Sequence, residues 1–208
     1  YDNLMVFYKK SMQVVGVIAT GRGPNGIALD QRLRRAYVAL SSDDAIDVID
    51  VTAEEVINRI WLNTGDNPQE PALTPDGRLL LTANSGSNTV SVIDPISFIE
   101  LSRINVGNSP NSILIDPAGR RAYVFNTLSN TISVIDIANK SIAATISTEP
   151  GPLRGQFNRQ GDKLYVIHEL SSYLAVINPL SLTVINRIYV GMGMRVIKLD
   201  TKTDMFYM

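Results

Sequence analysis

Apolar residues in this chain fall in short alternating runs and not in helical stripes. The runs span four to eight residues and are rich in Val, Ile, Thr and Tyr. Turn clusters bound them: PDG at Pro75, NSGSN at Asn84, PAG at Pro117 and RQGD at Arg159. That combination predicts β-strands. TAEEVINRI, from Thr52, has the composition of a helical turn, but it aligns with strands elsewhere, so a strand is expected there too. In VSVID, Val90 and Val92 point one way and Ile93 the other, because side chains alternate across a strand. Both faces of such a strand are apolar, and a strand apolar on both faces is covered on both.

The runs also recur. SNTVSVID (87–94) returns 42 residues later as SNTISVID (129–136). Aligned on that octapeptide, third strands end in AIDVID from Ala45, TVSVID from Thr89, TISVID from Thr131 and YLAVIN from Tyr173. Upstream of each lies a second strand: RAYVAL from Arg35, LLLTAN from Leu79, RAYVFN from Arg121 and KLYVIH from Lys163. A proline leads into each first strand, at Pro24, Pro68, Pro110 and Pro152, and runs such as VINRIWL and TVINRIYV follow as fourth strands. Four short strands repeating every 42 to 44 residues predict an all-β fold, a β-propeller of four-stranded antiparallel blades.

The two ends fit the same register. DNLMVFY and VVGVIAT align with third and fourth strands, and MRVIKLD and MFYM with first and second strands. Residues 1–208 thus read as one propeller domain of four complete blades and two half-blades. Either the half-blades join as a fifth blade, which removes exposed strand edges, or the sequence is part of a longer propeller. Tyr1 is not a natural translation start and Met208 falls inside a strand, so the longer propeller is the expectation.

Composition narrows the function classes. The chain is 45% hydrophobic and 19% charged, the balance of a globular protein. With 19 basic and 20 acidic residues it has no general attraction for polyanions, so nucleic acid is not an expected partner. There is no cysteine, which excludes disulfides, thiolate metal sites and c-type haem attachment. No apolar run reaches the roughly 18 residues of a membrane helix.

AYVAL, LLTAN, AYVFN and LYVIH, the SNT turns, the VID ends and the GRGP, GNSP and EPGP lead-ins together resemble the YVTN β-propeller repeat family over essentially the whole chain. The resemblance implies a propeller, typically seven-bladed, in a secreted, periplasmic or surface-attached protein. It leaves the role open, because a fold hosts many functions.

In a propeller the residues just past each lead-in proline gather at the mouth of the central channel. Here they are Asn25, Gln69, Glu70, Asn111 and Arg154, with Arg195 following Met194 where proline is expected. Arginines with amides and a glutamate nearby can hold an anionic group or a partner's carboxylates. His168, the only histidine, is grouped with these mouth residues as a partner contact; it takes the place of Asn84 and Asn126, which are expected to bond backbone in the loop that follows. A structural substitution is favoured over a base or ligand. Related redox propellers, of the d-haem nitrite reductase and amine dehydrogenase kinds, are the alternative; a d-haem site usually needs more than one histidine. Asp43 and Asp44 form an acidic turn without the spacing of a calcium loop, so a solvated turn is expected, and GRGPNG (21–26) precedes a strand, not the helix a phosphate loop requires. Tyr8, Trp61, Tyr173 and Tyr189 are expected on outer strands or turns, where aromatics shield an edge or anchor a partner. The reading is a non-catalytic module for protein–protein interaction, with another protein or complex as partner and no cofactor.

Overall fold

The computed structural model describes residues 2–200, 203 and 205–207; Tyr1 and Met208 lie outside them. The elements among the described residues are strands. β1 (Asn3–Phe7) and β2 (Val14–Ala19) pair antiparallel. The first blade is β3 (Pro24–Asp30), β4 (Arg35–Leu40), β5 (Ala45–Asp50) and β6 (Glu55–Trp61). The second is β7 (Pro68–Leu73), β8 (Leu80–Asn84), β9 (Thr89–Ile93) and β10 (Glu100–Asn105). The third is β11 (Pro110–Ile115), β12 (Arg121–Asn126), β13 (Thr131–Asp136) and β14 (Ser141–Ser147). The fourth is β15 (Pro152–Phe157), β16 (Leu164–His168), β17 (Tyr173–Asn178) and β18 (Thr183–Tyr189), followed by the pair β19 (Lys198–Asp200) and β20 (Met205–Tyr207). Each blade is a meander in chain order. The segment from Thr52 contributes β6, as expected. The two-stranded sheets β1–β2 and β19–β20 stand apart and share no ladder among the described residues, so the pairing that would make a fifth blade is not formed here.

First strands meet one another from blade to blade, β3 against β7, β7 against β11 and β11 against β15, so they line the centre. Middle strands are buried on both faces, while the fourth strands are largely exposed. The alternation in VSVID is resolved as predicted. Val90 and Val92 join Ile113, Val124 and Ile135 in the core between the second and third blades. Ile93 turns the other way, to Tyr37, Ile46 and Val48 between the first and second.

The recurrent polar residues serve the turns and the joints. At the end of each third strand, Asp50, Asp94, Asp136 or Asn178 accepts from backbone amides two or three residues on. This closes a turn in which Glu54, Phe98, Lys140 and Leu182 all adopt left-handed φ, between 51° and 61°. Those amide bonds hold the Asp50, Asp94 and Asp136 carboxyls below the usual carboxylate range. At the other end, left-handed Asn88 and Asn130 accept from the Ser109 and Gly151 amides, fastening the start of one blade to the next. Asp44 does the same for Gly65 and Asn67, and Asp43 takes the Arg22 amide and guanidinium. The acidic turn is therefore a joint between segments and not a merely solvated loop.

Fourth-strand arginines add a further tie. Arg59 binds Asp47, fully buried on β5, with Nε–Oδ1 2.7 Å, and Asp47 also accepts from the Gly21 amide at 2.9 Å. Arg103 reaches Asp66 at 2.7 Å from the equivalent place in the second blade. Ser91 and Ser133 occupy the Asp47 position in the next two blades, and Ser133 receives the Gly107 amide. Asp47→Ala strands a buried amide and a half-buried guanidinium and is expected to cost about 2–4 kcal/mol in urea unfolding. Asp47→Ser, which restores the hydroxyl used by neighbouring blades, is expected to cost clearly less.

Candidate functional site

The lead-in prolines deliver their neighbours to the inner ends of the first strands. Asn25 Nδ2 donates to Gln69 Oε1 across β3 and β7, and Gln69 Nε2 in turn donates to Ser85 Oγ at 3.1 Å. One step further along, Gly26 packs so close to β7 that a Cβ there would lie 2.5 Å from the Gln69 carbonyl oxygen. The glycine of GRGPNG thus serves the approach of two strands. On the next strands the equivalent positions are Glu70, Ser112 and Arg154.

Glu70 and Arg154 meet across the third blade, with Oε1–Nη1 2.9 Å between residues 84 apart in sequence. Burial pushes the Glu70 carboxyl above its usual range, against the pull of Arg154 beside it. Between them Ser112 Oγ donates to the Leu153 carbonyl at 2.9 Å, holding β11 to β15. Arg195, ahead of β19, extends from the rim and bonds Glu169 at 2.5 Å. Glu70, Ser112, Arg154, Gln156, Arg195 and Lys198 all border one cavity of about 440 Å³. Asn111 lies half-buried on β11 and does not border it.

Sequence reasoning therefore found three of the cavity's charged residues and missed Lys198 and Gln156. Gln156 follows Arg154 by two, and alternation along an inward-facing strand is the signal that finds it. A second cavity, of about 450 Å³, opens between the third and fourth blades. Arg121 ties the blades there, with Nη1 2.7 Å from the Pro179 carbonyl.

His168 corrects the mouth reading. It is fully buried and presents no surface to a partner. Its Nε2 lies 2.9 Å from Thr148 Oγ1 and its Nδ1 3.1 Å from the Tyr173 carbonyl. The residues it replaces behave differently from expectation as well. Asn84 and Asn126 donate to third-strand hydroxyls, Thr89 and Ser91 or Thr131 and Ser133, and not to loop backbone. In the fourth blade those hydroxyls are replaced by Tyr173 and Ala175, so a longer ring that reaches Thr148 fills the place. Glu169, next in sequence, turns away to Arg195.

Burial lowers the His168 pKa from 6.5 to about 4. Its folded pKa lies below its unfolded one, so the unfolded chain takes up the proton first. Stability is whole above about pH 6.5 and falls as pH drops toward about 4, by up to about 3 kcal/mol. His168→Asn is expected to flatten that part of the pH profile of the urea midpoint, whatever it costs at pH 7.

Trp61 and Tyr189 end their fourth strands beside the loops between second and third strands. They are 67% and 70% exposed; Leu170, on the loop beside Tyr189, and Leu128, on the equivalent loop of the third blade, are 62% and 72% exposed. The Arg59 guanidinium stands 5.5 Å from the Trp61 ring. Tyr173 and Tyr189 pack edge to face with centroids 5.6 Å apart. Tyr8 sits exposed in the β1–β2 turn.

Among the described residues no group of three or more His, Asp or Glu side chains is placed to hold a metal ion, and no helix is long and apolar enough to cross a membrane. No curated protein sequence matches the chain significantly. Among solved structures, Kuenenia stuttgartiensis hydrazine synthase superposes with a TM-score of 0.81 at 25% identity, covering 92% of this chain and 56% of that one. The Cps50 (Swd1) β-propeller domain of Myceliophteria thermophila gives 0.78 at 12% identity, covering 91% of this chain and 62% of that one, a likeness of fold alone. The chain spans less than two thirds of either. The family model of YNCE-like beta-propellers matches residues 3–202, and the chain belongs to that family.

Proposed function

We propose that this propeller is a non-catalytic binding module of the YVTN-repeat type, which docks on another protein as a subunit or accessory of an extracytoplasmic assembly. One observation carries the reading: the face that holds the channel mouth also exposes Trp61, Leu128, Leu170 and Tyr189 on a rigid scaffold. Large aromatic and aliphatic side chains held out by fixed strands and short loops are the anchors of protein interfaces. Placement outside the cytoplasm rests on the resemblance to YVTN-repeat proteins. We also infer that further blades of the same protein continue this arc. Met5 and Phe7 on the free sheet at one flank are exposed, whereas the residues matching Phe7 in the complete blades, Ile49, Ile93, Ile135 and Ile177, and those matching Met5, Asp47, Ser91, Ser133 and Ala175, are all buried.

A second reading, a cofactor-bearing or redox propeller, draws on the likeness to hydrazine synthase and on the charged channel. Isolation of the native protein separates the two. The binding-module reading expects a stable complex with a second protein and no chromophore; a coloured protein isolated alone would reverse the order. Once the partner is in hand, Trp61→Ala and Leu128→Ala are expected to leave stability within about 0.5 kcal/mol. Each should weaken the complex about tenfold or more by calorimetry. Unchanged affinity in both variants would remove this face from the interface.

A further inference from the structure

The central cavity carries more positive charge than its neighbours consume. Its border holds three cations, Arg154, Arg195 and Lys198, and one acid, Glu70. Glu70 engages a single nitrogen of Arg154, and Arg195 meets Glu169 through one of its own. A guanidinium has five N–H donors and an ammonium three, so most of the donors in this group remain available to a ligand. They stand on different elements, Arg154 on β15, Lys198 on β19 and Arg195 just before it, and all border the same space. Gln156 adds an amide beside them, one of whose two hydrogens goes to the Phe157 carbonyl.

We propose that this cavity is a binding site for a small oxyanion, a carboxylate or a phosphate, held between Arg154 and Lys198 with Arg195 at the rim. With Glu70 on Arg154 and Glu169 on Arg195, the group keeps an excess of one positive charge, and its remaining N–H donors set an anion as the ligand. Donors arriving from separate strands suit a group with oxygens on more than one side. The volume, about 440 Å³, takes a molecule of several heavy atoms and excludes a polymer strand from full enclosure. Glu70 has a part in selection. Its carboxylate turns Arg154 toward the cavity and repels an anion that comes too far along β7. This inference stands apart from the docking face, because its side chains line the interior and those of the docking face point outward.

The test uses the full-length protein with inorganic phosphate and, separately, succinate, titrated by calorimetry and by the shift in melting temperature. Saturable one-to-one binding of either supports the site, and the preferred probe tells a tetrahedral oxyanion from a carboxylate. Arg154→Gln and Lys198→Gln are each expected to weaken that binding about tenfold, the loss of one charge-assisted contact. Arg187→Gln, which removes an arginine paired with Glu149 on the fourth strand, is expected to bind as the parent does. Lys198 is exposed, so its substitution keeps the test valid if loss of Arg154 impairs folding. No saturable binding of either probe at millimolar concentration, or equal binding by Arg154→Gln, Lys198→Gln and the parent, would overturn the proposal.

Discussion

Coverage of both faces of every middle strand is the constraint from which the rest of this molecule follows. Ile132 and Val134 enter the core with the fourth blade, while Ile135, one residue on, enters the core with the second. A sheet built of such strands cannot lie against solvent on either side. It must stand between two others, and a series of sheets so placed turns about an axis. The fourth strands escape the constraint because they lie on the rim, which is why β18 reads as mostly exposed although it contains Val184, Ile185 and Ile188.

Packing of that kind is tolerant of sequence and imprecise about angle. The polar residues of the repeat supply the missing precision. In SNTISVID, Ser129 takes the Asn108 amide, Asn130 takes the Gly151 amide, and Thr131 and Ser133 receive Asn126. Asp136 then closes the following turn. Nearly every polar position of the octapeptide thus satisfies a donor that the blade geometry would otherwise leave orphaned, at a net gain of about 1 kcal/mol each. Lower down, Arg35 and Tyr37 both reach the Pro95 carbonyl of the next blade at 3.4 Å, as Arg121 reaches Pro179. The same sequence returns because the same joint has to be made again. Where a blade departs, it substitutes chemistry of equal reach: Asp44 for asparagine, Asp47 with Arg59 for a serine, His168 with Thr148 for an asparagine.

This separates what the sequence discloses from what it conceals. Strand positions, blade count and the facing of Val90, Val92 and Ile93 are legible because they are local or periodic, and periodicity survives substitution. The roles of Asn84 and Asn126 were assigned to the wrong partners, since a buried amide at a strand end satisfies backbone or hydroxyls equally well by spacing alone. Asp43 and Asp44 read as a solvated turn because their partners, Arg22, Gly65 and Asn67, lie about 21 to 23 residues away in neighbouring loops. Register puts His168 at the mouth, and the packing of the loops around it seals it from solvent.

The channel illustrates the same limit from the functional side. Gly26, Glu70, Ser112, Arg154 and Val196 occupy one repeat position, and nothing in the joints or cores dictates their identity apart from the close approach at Gly26 and the Ser112 bond to the Leu153 carbonyl. Freedom from structural duty is what permits a glutamate and an arginine 84 residues apart to face each other, with Lys198 brought in from the last strand pair. A position that varies while its neighbours repeat is therefore the place to look for chemistry in such a fold. Three first strands, β7, β11 and β15, bring Glu70, Ser112 and Arg154 from that position to a common space, and the identity of those few residues, not the architecture around them, decides what the propeller can hold.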